Sequence, residues 1–517
     1  MPLIATVDRI RRSEAGAEPR QGGQGYGAAI DRRQFLQRAI VAGAGAAVIP
    51  SAMVSAQPAT PGAGPYGGLA AEPDENGLHL PEGFTSRILA VGGETVAGTG
   101  YTWHAFPDGA ATFATDDGGW IYACNSEVTA VFAPDQGGVS AIRFDADGEV
   151  VDAYRILEGS TSNCAGGLTP WGTWLSCEEP VDKRGRLWEC DPTGEQEAVA
   201  HEAMGLWNRE AAAVDPERKA VYMTEDDPEG LLYRYTPAAY PDLSNGDVHA
   251  AVVADNGAVT WAEVPDPSAS SKPTKAQVDG ATTFNGAEGI WYDRGSIYFT
   301  SKGDNKVHHI DLATQRYEVI WDSDPASEGK EGAVLSGVDN ITVDHATGDL
   351  FVAEDGGNME VVLISADGTV APFARVAEDP TGSEITGPCL SPDRTRLYFS
   401  SQRGPSPKML KEVIPGCTFD ARNAGITYEI TGPFRTAAAE PEPVATTIAK
   451  ANPSGAPNSS AGSDSGEGES TSAPVVIGGI ALVAAAGVGA TIALRRRRGA
   501  SGSPATPPAD EDAAPGA

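Results

Sequence analysis

The sequence of 517 residues predicts an all-β fold, a β-propeller of about six blades, followed by one C-terminal transmembrane helix. Between Gly98 and Phe434, short runs rich in Val, Ile, Tyr and Phe alternate with turns that contain Gly and Asp. Trp120–Ala123 and Ser296–Thr300 are typical of these runs. Because they are short and closely spaced, they indicate an all-β sandwich, barrel or propeller and not a parallel α/β sheet.

A repeated unit favours the propeller among these folds. In residues 210–226, 288–302, 340–355 and 387–402, a polar residue opens a strand, a turn follows, and a second strand ends in polar residues. Antiparallel pairing brings the start of the first strand and the end of the second to one edge. Radial packing of the blades should therefore gather these polar residues at one mouth of a central channel.

The N-terminal residues have the pattern of an export signal. Arg32 and Arg33 precede an uncharged run from Ala39 to Ile49, and small residues follow at 54–56. This order resembles a twin-arginine signal peptide. The run is too short to cross a bilayer, which takes roughly 20 residues. We expect residues 1–56 to be removed after export, with the twin-arginine export machinery as a partner.

The C-terminal part has the pattern of a membrane anchor. Residues 474–494 are apolar and are followed directly by four arginines, which mark the cytoplasmic side of a membrane span. Residues 436–473, rich in Pro, Ser and Gly, predict a disordered spacer, and residues 495–517 predict a cytoplasmic tail. We therefore expect residues 57–435 to form a monomeric extracellular domain, held at the cell membrane by a single-pass helix.

The charge balance limits the partners of this domain. The 71 acidic residues outnumber the 37 Lys and Arg, and the net charge of -34 argues against nucleic acid and anionic lipid. An anionic substrate would need a local positive centre, for which metal ions are the obvious source. The seven histidines lack the spacing of common zinc sites, whereas clustered carboxylates suit hard cations such as calcium.

One long segment carries a family resemblance. Residues 163–179, NCAGGLTPWGTWLSCEE, resemble the signature segment of the PhoX family of alkaline phosphatases. Shorter pieces agree in order over residues 78–435: Asn125–Glu127, Asn208–Ala211, Thr224–Asp226, Gly286–Gly289, Asp339–Asn340 and Ala353–Gly356. The resemblance implies a β-propeller phosphatase whose channel holds calcium and ferric iron and acts on small phosphate monoesters.

The resemblance also implies a set of metal ligands. Cys177 would supply a thiolate to iron, with Glu127, Glu210 and Glu288 as carboxylate ligands. Further candidate metal ligands are Glu178, Glu225, Asp226, Asp339, Asn340, Glu354 and Asp355. Lys302, at a strand end on the same predicted edge, is the candidate catalytic cation. The chain departs from the family at Arg209 and in residues 125–127, where members often have His.

Two other functions fit the same pattern. A calcium-dependent lactonase or esterase would also use channel carboxylates, and a non-catalytic surface propeller could use calcium only to hold its blades together. Neither has a use for a thiolate in the channel. The cysteines leave a further alternative open, because exported proteins commonly pair them. Cys164–Cys190 and Cys389–Cys417 are candidate disulfides, and Cys177 could itself be in one.

Overall fold

The computed structural model describes residues 59–324, 333–377, 383–414, 416–417 and 423–436. Within them the chain forms six antiparallel blades whose innermost strands contact one another in a closed ring. The predicted six-bladed β-propeller is therefore confirmed.

The strands are numbered in chain order. Three come before the first blade: β1 (Thr60–Pro61), β2 (Leu78–His79) and β3 (Thr85–Val91). Blade 1 is β4 (Pro107–Ala114), β5 (Trp120–Ser126), β6 (Gly137–Phe144) and β7 (Val150–Ser160). Blade 2 is β8 (Asn163–Leu168), β9 (Trp174–Glu178), β10 (Leu187–Cys190) and β11 (Val199–Ala200). Residues 209–263 hold β12 (Arg209–Asp215), β13 (Ala220–Glu225), β14 (Gly230–Leu231), β15 (Tyr233–Ala239), β16 (Asp242–Val253) and β17 (Val259–Glu263). Blade 3 contains all of these except β14, which pairs with β18 (Thr283–Phe284).

The remaining blades follow the same order. Blade 4 is β19 (Ala287–Asp293), β20 (Ser296–Ser301), β21 (Lys306–Asp311) and β22 (Arg316–Asp322). Blade 5 is β23 (Val338–Asp344), β24 (Asp349–Glu354), β25 (Glu360–Ile364) and β26 (Thr369–Val376), with β1 and β2 added to β26. Blade 6 is β27 (Ile385–Leu390), β28 (Arg396–Ser401) and β29 (Ile426–Thr431), completed by β3. The described helices are one α-helix, α1 (Leu410–Val413), and two 3-10 turns, Glu202–Met204 and Thr274–Ala276.

Pairing between the two ends of the domain closes the ring. Strand β3 lies antiparallel to β29, with Thr85 opposite Thr431 and Val91 opposite Ile426. The last blade is thus assembled from both ends of the domain, with β3 as its outermost strand.

Apolar side chains between neighbouring blades form the core. Between blades 1 and 6, the rings of Tyr122 and Tyr398 lie 5.1 Å apart, and Trp120 Nε1 donates to the Tyr398 hydroxyl at 3.0 Å. Every residue of β5 is buried, because both faces of the strand pack against apolar side chains. This explains why the strands read as short, nearly continuous apolar runs.

A β-bulge recurs at the start of every innermost strand. The pairing register shifts between residues 107 and 110, 163 and 166, 209 and 212, 287 and 290, 338 and 341, and 386 and 389. A bulge leaves residues unpaired and re-aims their side chains. Neighbouring strands also approach closely here, because a Cβ atom on Gly109 would lie 2.5 Å from Ala165 Cα, and one on Gly289 would lie 2.7 Å from Asn340 Cα.

Several predicted segments lie outside the described residues. They are the signal peptide at 1–56, the membrane span at 474–494, the tail at 495–517 and the spacer beyond Thr436. Among the described residues, no helix has the length and apolar character that a membrane crossing requires.

Candidate metal centre

Each innermost strand begins with the same kind of bulge, so its second residue occupies an equivalent position in every blade. This set, here called the first ring, is Asp108, Cys164, Glu210, Glu288, Asp339 and Thr386. The first five contribute to groups of potential metal ligands, whereas Thr386 donates its hydroxyl to the Pro107 carbonyl oxygen at 2.9 Å. The repeated backbone geometry thus brings side chains from distant parts of the chain to one place.

The residue that follows each second strand forms a second ring. Its members are Glu127, Glu179, Asp226, Lys302, Asp355 and Gln402. In all six blades, the backbone N–H of this residue donates to the carbonyl oxygen of the residue before the innermost strand. Examples are Glu127 to Phe106 at 2.9 Å and Lys302 to Gly286 at 2.8 Å. This bond ties the second ring to the start of the innermost strands, and hence to the first ring.

Three groups of acidic and thiol side chains converge within these rings. Their ligand atoms lie within 4.8 Å of one another in each group: Glu127, Cys164 and Glu179; Asp108, Glu127 and Glu384; and Glu210, Glu288 and Asp339. Glu127 belongs to two groups, so these two share a ligand. Within the described chain, these groups are the candidates for holding metal ions.

Two cations border the acidic groups. Lys302 Nζ lies 3.0 Å from Glu288 Oε1, 3.3 Å from Asp339 Oδ2 and 3.1 Å from Asp355 Oδ2. Arg403 Nη2 lies 2.6 Å from Glu384 Oε2. These cations offset only part of the negative charge, because the rings also contain the carboxyl groups of Asp108, Glu127, Glu179, Glu210 and Asp226.

This crowding shifts the pKa values of the acidic side chains. Burial first, and neighbouring carboxylates second, hold the pKa values of Asp108, Glu179 and Glu210 well above their usual range. Burial raises the pKa of Asp339 to about 6, although Lys302 opposes the shift. The pKa of Asp355 is lowered, because Lys302 and other hydrogen-bonding and charged neighbours outweigh the effect of burial.

The donor set fits bound cations. Among the described residues, Glu210 Oε2 is buried and has no hydrogen-bond partner, which is costly for a carboxylate unless a cation binds it. The oxygen-only group of Glu210, Glu288 and Asp339 has the chemistry that hard cations prefer. The group containing Cys164 adds a soft donor, which suits a transition metal.

Two amide side chains orient the carboxylates. Asn340 Nδ2 donates to Asp339 Oδ1 at 2.8 Å and to Glu210 Oε1 at 3.4 Å, while its Oδ1 accepts the Gly387 N–H at 2.7 Å. Gln402 Nε2 donates to Glu127 Oε2 at 2.8 Å and also bonds to the Asp108 carboxylate. Asn340 therefore lies at the site but acts here as a hydrogen-bond donor to the acidic groups.

Comparison with known proteins identifies the family. Residues 128–331 and 311–404 match the family model described as alkaline phosphatase PhoX. The chain belongs to the PhoX family of alkaline phosphatases. It is a PhoX-like alkaline phosphatase, and the acidic groups are consistent with the metal dependence of this family.

Among solved structures, the match to a PhoX structure supports the same fold. Pseudomonas fluorescens PhoX, solved in complex with vanadate, a transition state analogue, is 17% identical with a TM-score of 0.55; the match covers 71% of this chain and 98% of that chain. The gluconolactonase XC5397 from Xanthomonas campestris is 11% identical with a TM-score of 0.34, over 73% of this chain and 99% of that one. The latter similarity is too weak to bear on function. No curated protein sequence matches the chain significantly.

In the PhoX domain, the cysteine that lies among the carboxylates is not the predicted Cys177. Cys177 lies in the apolar core with Leu187, Met204 and Trp207, and it belongs to none of the three groups of potential ligands. Cys164 occupies the position among the carboxylates instead. Burial raises the pKa of both thiols, that of Cys177 to about 12 and that of Cys164 well above its usual range, so it is their positions that distinguish them. Among the described residues, the structure therefore brings Cys164, and not the predicted Cys177, to the groups of potential metal ligands.

The candidate disulfides are absent from this PhoX domain. The thiols of Cys164, Cys177, Cys190 and Cys389 are all free and buried. Each proposed pair would need at least one of them, so neither Cys164–Cys190 nor Cys389–Cys417 is formed, and Cys177 is not in a disulfide.

Three of the predicted acidic ligands are one residue out of phase with the second ring. Glu178 accepts the Arg186 N–H at 3.1 Å, Glu225 accepts the Tyr233 hydroxyl at 2.7 Å, and Glu354 accepts the Ser336 N–H at 2.8 Å. Side chains alternate along a strand, so the last residue and the one after it point to opposite sides. These three glutamates accept hydrogen bonds within their own blades. The residues that follow them, Glu179, Asp226 and Asp355, belong to the second ring.

The remaining predicted residues lie at the site. Glu127, Glu210, Glu288 and Asp339 are in the groups of potential ligands, and Lys302 contacts two of these residues directly. The sequence patterns did not indicate six further residues at the site: Asp108, Cys164, Glu179, Glu384, Gln402 and Arg403. Aligning the repeats would have found some of them, because Asp108-Gly109-Ala110 occupies the same place in its blade as Glu210-Ala211-Ala212.

Arg209, at which the sequence departs from the family, does not contact the three groups of potential metal ligands. Its guanidinium lies 3.6 Å from the ring centroid of Trp207 and donates to the carbonyl oxygens of Met204 and Gly205. In the other departing segment, Asn125 Nδ2 donates to the carbonyl oxygens of Cys164 and Ala165. Asn125 thus helps to position the backbone of the candidate thiol ligand.

Proposed function

We propose that this PhoX domain hydrolyses small phosphate monoesters with calcium and iron ions bound at the channel mouth. The observation that carries the proposal is the convergence of acidic side chains from around the ring of blades into three groups, one of which contains the Cys164 thiol. So much buried negative charge cannot bind a phosphate ester without cations to offset it.

The donor chemistry suggests which residues hold each ion. Cys164, with Glu127 and Glu179, would hold iron, because a thiolate is a soft, anionic donor. Glu210, Glu288 and Asp339 would hold calcium through oxygen atoms alone. When bound, such cations neutralise phosphate oxygens and lower the pKa of a water nucleophile.

Lys302 and Arg403 are the protein cations available to the substrate. Their side chains are 33% and 16% exposed, so both are accessible from the mouth. A lysine or arginine beside the transferred phosphoryl group stabilises the charge that develops on its oxygens. We assign this role to Lys302 first, because it touches the acidic groups of two blades.

Metal analysis combined with an activity assay tests this proposal. The full-length protein should contain calcium and iron, and it should hydrolyse p-nitrophenyl phosphate but neither bis(p-nitrophenyl) phosphate nor p-nitrophenyl acetate. A calcium chelator should abolish turnover, and added calcium should restore it. Turnover of the acetate alone would favour the esterase alternative, and turnover that survives complete metal removal would refute the metal-dependent mechanism.

We further propose that the domain acts outside the cell. The support is the sequence pattern of a twin-arginine signal in residues 1–56 and an anchor at 474–494. Replacing Arg32 and Arg33 by Lys should block export. Protease added to intact cells should release the domain by cutting within residues 452–473, whereas a protected domain with intact cytoplasmic markers would refute this topology.

A further inference from the structure

Gln402 is the uncharged member of the second ring, whose other residues are four acidic side chains and Lys302. The residue is fully buried. Thr386, which the same blade contributes to the first ring, is uncharged as well. An amide oxygen can bind a hard cation directly, so the direction of this oxygen decides what Gln402 contributes to the site.

The amide nitrogen of Gln402 is used by two carboxylates. Nε2 donates to Asp108 Oδ2 at 2.5 Å and to Glu127 Oε2 at 2.8 Å. Both acceptors belong to the group of potential metal ligands that also contains Glu384. They come from blade 1, whereas Gln402 follows β28 of blade 6. Both amide hydrogens therefore tie blade 6 to candidate ligands of blade 1.

The amide oxygen of Gln402 is used by a guanidinium group. Oε1 accepts a hydrogen bond from Arg403 Nη1, and Arg403 Nη2 donates to Glu384 Oε2 at 2.6 Å. Turning the amide over would direct its oxygen at two carboxylates and its NH2 group at a cation, so the contacts fix its orientation. Nη1 carries two hydrogens, and the contact with Gln402 leaves one of them for a phosphate oxygen.

The backbone around Gln402 is held in place from several sides. Its N–H donates to the Glu384 carbonyl oxygen at 3.0 Å, and the Arg403 N–H donates to Ser383 Oγ at 2.8 Å. A Cβ atom on Gly425 would lie 2.4 Å from the Gln402 carbonyl oxygen. Because β28 ends at Ser401, the two following side chains do not alternate between faces as they would in a strand, and they contact each other.

We propose that Gln402 is a positioning residue that holds the Arg403 guanidinium beside the carboxylates of the metal centre. The inference rests on the proposed phosphatase function and adds to it the contact that keeps a phosphate-binding cation in place. An amide has two donors for the carboxylates and an acceptor for the guanidinium, a combination that neither Glu nor Lys has. A role in packing alone would need the shape of this side chain but not its polar atoms.

The first test measures the binding of inorganic phosphate to full-length, metal-loaded protein by titration calorimetry at saturating calcium. Gln402→Met keeps the length of the side chain and removes the amide. We expect the Kd for phosphate to rise about tenfold in this variant and in Arg403→Met, because hydrogen bonds to charged groups are lost. The double variant should resemble Arg403→Met, since Gln402 acts through Arg403.

Two results of this titration would overturn the inference. One is an unchanged Kd in Gln402→Met. The other is a double variant whose Kd rises by the product of the two single effects, about a hundredfold, because residues that act independently give additive free energies.

A second measurement depends on neither metal content nor activity. In chelator, Arg403 is treated with the arginine reagent phenylglyoxal, and its modification is followed by mass spectrometry. The side chain of Arg403 is 16% exposed, so the reaction should be slow in the wild type. It should be severalfold faster in Gln402→Met, where the guanidinium has lost the amide oxygen. An unchanged rate in the folded variant would show that Gln402 does not hold Arg403.

Gln277→Met is the matched control, because this amide also makes three hydrogen bonds and lies in neither ring. Its Oε1 accepts the Asp266 N–H at 2.8 Å, and its Nε2 donates to the carbonyl oxygens of Asp266 and Lys272 at 2.8 and 3.0 Å. The control should keep the wild-type Kd for phosphate and the wild-type reactivity of Arg403. Equal effects of the two Met variants would overturn the positioning role while wild-type turnover still supported the phosphatase. A metal-loaded wild type that neither binds phosphate nor hydrolyses p-nitrophenyl phosphate would instead refute the proposed function.

Discussion

Lys302 Nζ lies 3.0 Å from Glu288 Oε1, so an ammonium group sits directly against a buried carboxylate of the first ring. The same nitrogen reaches Asp355 of blade 5 at 3.1 Å. It therefore links the acidic side chains of neighbouring blades. Without this cation, the carboxylates would repel one another wherever metal ions did not neutralise them.

Replacing Lys302 by Met should therefore weaken both stability and catalysis. In chelator, we expect the free energy of unfolding to fall by about 1–3 kcal/mol, because buried charged partners lose their hydrogen bonds. Hydrolysis of p-nitrophenyl phosphate should fall by at least about tenfold, as one cation near the phosphoryl group is lost. Urea unfolding and steady-state kinetics measure the two effects.

Lys306→Met provides the control for this variant. Lys306 is in the same blade and lies 3.0 Å from the more exposed Asp304, so its loss should cost less than about 1 kcal/mol. Equal effects of the two variants would show that Lys302 is an ordinary surface cation.

The two cysteines of the signature segment should behave differently on substitution. Cys164→Ser removes the thiol that lies with Glu127 and Glu179, so iron content and phosphatase turnover should both fall, by about tenfold or more. Cys177→Ser places a hydroxyl in an apolar core and should instead lower stability by about 1–3 kcal/mol, with metal content kept. Metal analysis, kinetics and thermal unfolding distinguish these outcomes. Loss of iron in Cys177→Ser with full iron in Cys164→Ser would reverse our assignment.

Substitution of the adjacent Glu178 and Glu179 tests which of the two side chains belongs to the second ring. Glu179→Gln removes a carboxylate from the group that contains Cys164, so we expect loss of metal and of turnover. Glu178→Gln keeps the acceptor for the Arg186 N–H and should retain both, with a change in unfolding free energy of about 1 kcal/mol. If metal loss followed Glu178→Gln, the geometry of β9 would be different from the one described.

The propeller could be predicted because its signals are local. The hairpins at 210–226 and 288–302 show apolar runs, turns and polar strand ends in the sequence itself, and strand pairing then places those ends at one edge. The sequence defined four such units clearly, and the predicted total of about six included two blades that it defined poorly. Closure of the last blade by β3 could not be predicted, because it depends on pairing between Thr85 and Thr431, which are far apart in sequence.

The site was predicted less completely, for a geometric reason. A β-bulge and a strand end decide which of two neighbouring side chains faces the channel, and a shift of one residue reverses the direction. The prediction therefore chose Glu178 where the second ring has Glu179. Asp108 and Glu384 were missed because each is a single acidic residue without a motif, and only packing of blades 1 and 6 brings both beside Glu127.

Away from the metal centre, Glu189 should make stability depend on pH. This residue of β10 accepts hydrogen bonds from Trp171 Nε1 at 2.7 Å and from Thr173 Oγ1 at 2.9 Å, and its other oxygen lies 2.8 Å from His201 Nε2. Burial alone would raise the pKa of Glu189, but these hydrogen bonds outweigh it and lower the pKa below its usual value.

The direction of the pH effect follows from this lowered pKa. A carboxyl group with a lower pKa in the folded state stabilises the protein above the pKa of the unfolded chain, about 4.3, and that contribution is lost as the pH falls through the folded-state pKa. Glu189→Gln should lower the free energy of unfolding at neutral pH by about 1–3 kcal/mol, because the charged acceptor is gone. The difference from wild type should begin to shrink as the pH falls below about 4.3, where the unfolded chain takes up the proton, and should be smallest below the lower pKa of Glu189 in the folded state. Urea unfolding over a pH series, with chelator present throughout to exclude metal release, measures this difference.

Glu197→Gln, at an exposed position before β11, should stay within about 0.5 kcal/mol of wild type. A difference for Glu189→Gln that stays constant down to acid pH would assign its effect to packing and not to the charge of the carboxylate.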